Sequence, residues 1–331
     1  MKNIIKKQEF TLFVILIIMC IIIGFFNITF FSIENLIDLL KTNLVLTMMA
    51  MGMLLVILTG GIDVSVASII SAITVIIGNF LINVSSNLFV VVLVAAISGM
   101  LIGLVNGLLI AKLKIPPIVA TLGTMNIIAG INLYITNGSW ITGVPQNFID
   151  FGNIMLFKFH LSDGRLIGLP IQIIFLLPVC IGTWYVLNKT VIGRGIYALG
   201  GNKESAERMG FNSTKVLLFI YTFEGLIIGL AAVAHTSIMR QVDPNAFNSY
   251  EMEVIAAVVL GGASTLGGYG SVLGTLIGVA LFSVINNGMI LMHIPTFWQN
   301  IVVGLIIVAS VSFDMYQKKK VEKNKVRVDV E

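Results

Sequence analysis

The chain has 331 residues, 57% of them hydrophobic and only 11% charged, with a mean hydropathy of +1.00 and a formal net charge of +4. Soluble domains carry about 25% charged residues, so this surface is too apolar for water, and a lipid bilayer is the solvent it fits. The weak, dispersed positive charge excludes a nucleic-acid patch. Cys20 and Cys180 each sit inside an apolar run and read as small buried hydrophobes rather than a disulfide or metal pair.

Apolar stretches follow one another along the chain at 10–31, 42–58, 63–82, 88–111, 117–136, 166–187, 214–236, 251–262, 269–288 and 296–313. Ten spans are therefore expected, in an all-α polytopic bundle. The first follows Lys2, Lys6 and Lys7, as a signal peptide would, but it has the length of a full span and no small-residue cleavage site, so a retained helix is expected. Residues 42–82 contain one charge, Asp63. As a single helix they would run about 60 Å at 1.5 Å per residue, against a hydrocarbon core of about 30 Å. They must turn back, and Thr59-Gly60-Gly61 is the place. The same argument breaks 251–288 between Gly261-Gly262 and Gly267-Gly268, leaving a short eighth span that reads as re-entrant or broken.

Basic residues orient this arrangement. With the N-terminus in the cytoplasm, sixteen of the twenty Lys and Arg fall on inner segments, and only Lys41, Lys158, Arg165 and Arg240 fall outside. That is the asymmetry of the positive-inside rule, and an even number of spans puts both termini in the cytoplasm. Residues 1–316 are expected to form one transmembrane domain, with an outer loop at 137–165 and an inner loop at 188–213, followed by a charged, solvated tail at 317–331. Phe148, Phe151, Phe157 and Phe159 suggest that the outer loop lies on the membrane or covers the bundle. Glycines four apart, at 99/103/107, 225/229 and 270/274/278, point to close helix packing in lipid.

The inner loop carries a polar knot, "YALGGNKESAERMG" (197–210). Gly200-Gly201 is expected to break the chain, with Asn202 as N-cap of a helix over 203–209. Glu204 and Arg208 complement the two helix ends and are spaced i,i+4. Gly210 is the natural stop. So short a helix needs something to dock on, and Ala206 and Met209 offer an apolar edge. The plainer reading is an ordinary connecting loop.

This stretch, extended to "YALGGNKESAERMGFN", resembles the cytoplasmic coupling segment in permease subunits of bacterial sugar ABC importers, of the ribose, xylose and autoinducer-2 type. "LLVILTGGIDVSVASI" (54–70), "KIPPIVATLGTM…YITNGSWITGVP" (114–145) and "EVIAAVVLGGASTLGGYGSVLGTLIG…IPTFWQNIVVGLII" (253–307) are similar to the same family, in order along the whole chain. Ala67 departs from it, since many relatives carry Gly there. The resemblance implies a permease of about ten spans in the bacterial inner membrane, paired with an identical or related permease. It implies a cytoplasmic ATPase that carries ATP and Mg, and an extracytoplasmic sugar-binding protein that delivers the solute. Coupling to the ATPase then falls on Gly200, Gly201, Asn202, Glu204, Glu207 and Arg208. "LMHIPTFWQN" and "YITNGSWITG" incline the reading toward the autoinducer-2 or deoxysugar branch.

No catalytic or cofactor motif competes with this. Gly262 to Gly267 has the glycine spacing of a phosphate loop, but Gly268-Tyr269 stands where Lys and Ser/Thr are needed. The Gly193-Arg-Gly195 stretch follows a membrane span, not a strand. His160, His235 and His293 lack ligand spacing. The chain is thus expected to bind no cofactor and to hydrolyse nothing. Asp63, at the Gly-Gly break, is read as a cap accepting N–H groups of the following helix, with a proton relay as the alternative. Glu224, in mid-span, must face the interior, either bonded to a polar partner or in contact with solute. With Asn43, Asn106, Thr124 and Asn126 these are the candidate path or gate residues. Other in-span polar groups include Thr121 and Asn132. An ion-coupled secondary carrier is the alternative function, although two carboxylates are few for one.

Overall fold

Uninterrupted apolar sequence makes long helices here, and a computed structural model describes residues 2–160, 164 and 166–325. The helices are α1 (Lys2–Phe26), α2 (Ile33–Leu58), α3 (Val66–Asn83), α4 (Leu88–Ala111), α5 (Pro117–Thr136), the short α6 (Gln146–Gly152), α7 (Ile173–Lys189), α8 (Val191–Gly201), α9 (Lys203–Arg208), α10 (Ser213–Met239), α11 (Tyr250–Leu260), α12 (Val272–Leu291) and α13 (Thr296–Lys325). Each of the ten expected apolar stretches contains a helix. Seven helices among the described residues have the length and apolar character to cross a bilayer, or eight if α7 and α8, bent by 74°, are one broken span. The differences from ten are α11, of 11 residues and about 16 Å long at 1.5 Å per residue, and the apolar part of α13, Thr296–Ala309.

Several boundaries move for physical reasons. α2 begins at Ile33 rather than 42, because Ser32 caps it: its Oγ accepts from Asn35 N at 3.2 Å. The helix therefore carries Glu34, Asp38 and Lys41. The expected sixth span loses its first residues to a strand. Met155–His160 (β1) pairs antiparallel with Leu166–Pro170 (β2), a local exception to an all-α bundle. Pro170 cannot donate to a ladder, and the helix starts at Ile173. α13 continues to Lys325, past the expected boundary at 317. Arg165 and the end of the tail, 326–331, lie outside the described residues.

The core is built around α2, buried on nearly every side from Leu44 to Leu58. Its neighbours include α10, α12, α11 and α7, and the most extensive helix pair is α4 with α10. Glycine explains that pair. A Cβ added at Gly99 or Gly103 would run into the carbonyls of Gly225 and Tyr221, and one at Gly229 into that of Ala95. Close backbone approach gives the dispersion contact that holds helices together in lipid. Two members of the third series, Gly274 and Gly278, do the same for α12, where their Cβ atoms would lie 2.5 Å from the Gly261 carbonyl oxygen and closer still to that of Ala257, while Gly270 precedes the helix.

At one end of the bundle the segments around 141–153, 172 and 237–242 close over the helices. Ile141 and Val242 exchange two N–H···O bonds of 2.9 Å. Buried Gln172 donates to Gly152 O at 3.1 Å and to Ser237 Oγ at 2.9 Å. Phe148 is buried, whereas Phe157 and Phe159 are exposed, so only part of that aromatic set covers the bundle.

Candidate functional site: a polar cavity, a buried hinge and an exposed short helix

The polar knot folds as a short helix. α9 runs from Lys203 to Arg208, with Asn202 Oδ1 accepting from Ser205 N at 2.8 Å. Glu204 lies in its first turn and Arg208 in its last. Asn202, Glu204, Glu207 and Arg208 are all exposed. Two expectations change. Gly200 and Gly201 do not break the chain; they form the last turn of α8, and Asn202 ends that helix while starting the next. Ala206 is not part of a free apolar edge, being 0% exposed against its own bundle, while Met209 is 67% exposed. The exposed face of α9 is therefore charged with one apolar corner.

The break after α2 holds a buried polar cluster. Asp63 Oδ1 accepts from Ser65 N at 2.7 Å and from Ser65 Oγ at 2.5 Å. This Asx-type turn makes Ser65, not Asp63, the cap residue of α3. Asn106 on α4 donates to Ser65 Oγ at 2.8 Å and to Asp63 Oδ2 at 3.3 Å. Thr121 on α5 accepts from Val64 N at 3.3 Å. Glu224 on α10 lies beside Asp63 and packs on Gly52, where a Cβ would stand 3.0 Å from its Cγ. Among the described residues, Asn106 Oδ1 and the Tyr221 hydroxyl have no hydrogen-bond partner. An open backbone at membrane depth is tolerated only where protein groups satisfy it, and here four elements converge to do so.

A cavity of about 430 Å³ lies next to this hinge. Its wall is formed by α3, α5, the 244–249 loop and the start of α11, with Ser68, Ser71, Asn126, Asn132, Asn248 and Glu251 among its polar groups. Asn132 Nδ2 donates to Ser71 Oγ at 3.2 Å, and Ser71 Oγ donates to the Pro244 carbonyl at 2.6 Å. These bonds seat α5 and the loop on α3. Neutral amides and hydroxyls can exchange hydrogen bonds with a polyhydroxylated solute at modest affinity.

The candidate path residues thus separate into three groups. Asp63, Asn106 and Glu224 come together, but in the buried hinge rather than on the cavity wall. Asn126 lines the cavity. Asn43 is half-buried on α2 and donates to Leu39 O at 2.8 Å, and Thr124 is buried and donates to Thr121 O at 3.2 Å. Neither of these two is on the cavity wall. Sequence reasoning passed over Ser68, Ser71 and Glu251. Ser65, Ser68 and Ser71 recur every third residue along an apolar helix, a polar stripe that could have marked the lumen face.

Seven or eight membrane-length helices, two short or broken ones and a polar cavity between them define a multi-pass plasma-membrane transport protein. Residues 35–311 match the family described as "Branched-chain amino acid transport system / permease component", and the chain belongs to it. Ribose import permease protein RbsC of Haemophilus influenzae is 37% identical over 305 residues, covering 92% of each chain. The RbsC of Bacillus subtilis is 36% identical over 307 residues, covering 93% of this chain and 92% of its own. Autoinducer 2 import system permease protein LsrC of Yersinia pestis is 32% identical over 324 residues, covering 98% of this chain and 89% of its own. No solved structure matches the chain.

Proposed function

We propose that this chain is the membrane subunit of an ATP-driven importer of a small sugar or sugar-like solute. The observation that carries the proposal is full-length likeness to permeases named for ribose and autoinducer-2 import. The cavity supports it: a monosaccharide fits within about 430 Å³, and a wall mostly of amide and hydroxyl groups, with Glu251 as its one carboxylate, suits a solute that must leave again. Selectivity then belongs to an extracytoplasmic binding protein. A separate cytoplasmic ATPase carries ATP and Mg, and α9 docks on it through Asn202, Glu204, Glu207 and Arg208. Gly200 and Gly201 serve coupling from the end of α8. A second permease subunit covers the exposed face of α5. Transport proceeds by alternating access, with α3, α5 and α11 as the moving cavity wall.

The test is reconstitution in liposomes with a candidate ATPase and binding protein, with labelled ribose, xylose and autoinducer-2 as probes. Uptake of one probe that needs ATP and survives an uncoupler is the expected result. Uptake without the ATPase that an uncoupler abolishes would replace the importer with an ion-coupled carrier.

A further inference from the structure

Three glycine sites that are far apart in sequence, Gly60, Gly200-Gly201 and Gly267-Gly268, meet at one point. We infer that this junction is the mechanical link between the docking helix α9 and the cavity wall, with Gly200 and Tyr197 as its positioning residues. The inference rests on the importer reading given above and names the route by which that importer would be driven.

The contact is backbone on backbone. Gly268 N–H donates to the Leu58 carbonyl, the end of α2, at 2.8 Å. A Cβ added at Gly267 would lie 2.7 Å from Gly60 N and 2.9 Å from Gly200 Cα; one at Gly268 would lie 2.9 Å from Gly201 N. One at Gly200 would overlap the Leu58 carbonyl and Gly268 N. Tyr197, one turn earlier on α8, donates from its hydroxyl to Gly270 O at 3.0 Å. No flexible side chain intervenes between these three segments, so a displacement of one is delivered to the others with little lost in repacking.

Each segment leads to something that has to move. On one side, α8 passes into α9 through Asn202 alone, which caps both helices. A push on α9 therefore reaches Gly200 without a slack loop. On another side, Gly60-Gly61 opens the hinge that sets α3, whose Ser68 and Ser71 line the cavity. On the third, Gly267-Gly268 lies in the connection leaving α11, whose Glu251 lines the same cavity. Both short or broken elements of the wall thus end on the segment that carries the docking helix.

The glycines are not equivalent, and that makes the inference testable. Gly60, Gly267 and Gly268 have φ of 79°, 86° and 77°, so a side chain there would strain the backbone as well as the contact. Gly200 is helical, and its substitution acts on the contact alone. A Cβ at Gly304, helical on α13 and outside the junction, would meet nothing within 4 Å.

The experiment measures solute imported per ATP hydrolysed in liposomes holding permease, ATPase and binding protein, using whichever probe the wild type imports. Gly304→Ala should keep the wild-type ratio. Gly200→Ala should lower it by about tenfold, the size of a coupling energy between linked sites, while ATP turnover per assembled complex continues. Tyr197→Phe should lower it by a few-fold. A merely structural role would reduce uptake and hydrolysis together and leave the ratio unchanged. An unchanged ratio in both variants overturns the inference, and if Gly200→Ala does not assemble, an unchanged ratio in Tyr197→Phe overturns it alone. Absence of ATP-dependent uptake of every probe by the wild type would overturn the importer reading, and the junction's role with it. That failure is told apart because it appears before any substitution is made.

Discussion

The α4–α10 pair and α5 use glycine in opposite ways. On α4, Gly99 and Gly103 press against the carbonyls of Gly225 and Tyr221 on α10, and every added Cβ there would meet backbone. On α5, Cβ atoms at Gly123 and Gly130 would meet nothing within 4 Å. Ile118, Val119, Ile127, Ile131 and Tyr134 on the same helix are exposed. One helix pair is thus finished inside this chain, and the other helix presents small, close-approach positions to whatever lies outside it. In lipid an apolar face is satisfied by acyl chains, so exposure alone does not require a partner. Glycine there is harder to account for by lipid alone, because Gly is among the poorest helix formers and gains most from a second backbone.

The most severe way to break the contrast is Gly103→Leu. The new side chain would have to displace the Tyr221 backbone, and overpacking costs of about 1–3 kcal/mol or more are expected. The protein should lose its monodisperse peak in detergent, whereas Gly123→Leu on α5 should keep it. Next in size is Asn106→Leu, also on α4. It strips Asp63 and Ser65 of a donor, so a stability loss of about 2–3 kcal/mol is expected, read as a lower unfolding temperature. Gly123→Leu and Gly130→Leu should sharpen the contrast from the other side, with unchanged thermal stability but weakened association with the second permease, read by cross-linking in membranes. If both variants associate normally, α5 faces lipid. The smallest effect is expected for Asn126→Ala. It removes one neutral group from the cavity wall and should raise the KM for uptake a few-fold, at the scale of a single hydrogen bond, with no change in stability.

The apolar stretches were legible because bilayer thickness imposes a length on them; each contains a helix, and seven or eight of those helices are long enough to span. The glycine series were legible too, because spacing of four keeps residues on one face. The break at Gly60-Gly61 followed from length alone. What escaped is instructive. Asp63 and Glu224, distant in sequence, were weighed separately, yet they lie side by side. The Gly262–Gly267 run looked like a failed phosphate loop, whereas its neighbours Gly267-Gly268 serve as a packing surface for Gly200. The 200–201 pair looked like a break because glycine usually is one, but a helix tolerates it where another backbone lies as close as Leu58 O.

From the sequence alone came the solvent, the helices, their approximate ends and the charged short helix between two spans, because each depends on local composition and on a length scale external to the protein. Only the tertiary structure decided which face of each helix is lumen, seam or lipid. The reason is that lipid tails are as apolar as leucine, so hydropathy marks a span without marking its faces. The faces are chosen by shape and by the pairing of a few polar groups: glycine meeting a carbonyl on α4, Asn106 meeting Ser65, and Asn132 meeting Ser71 above an open cavity.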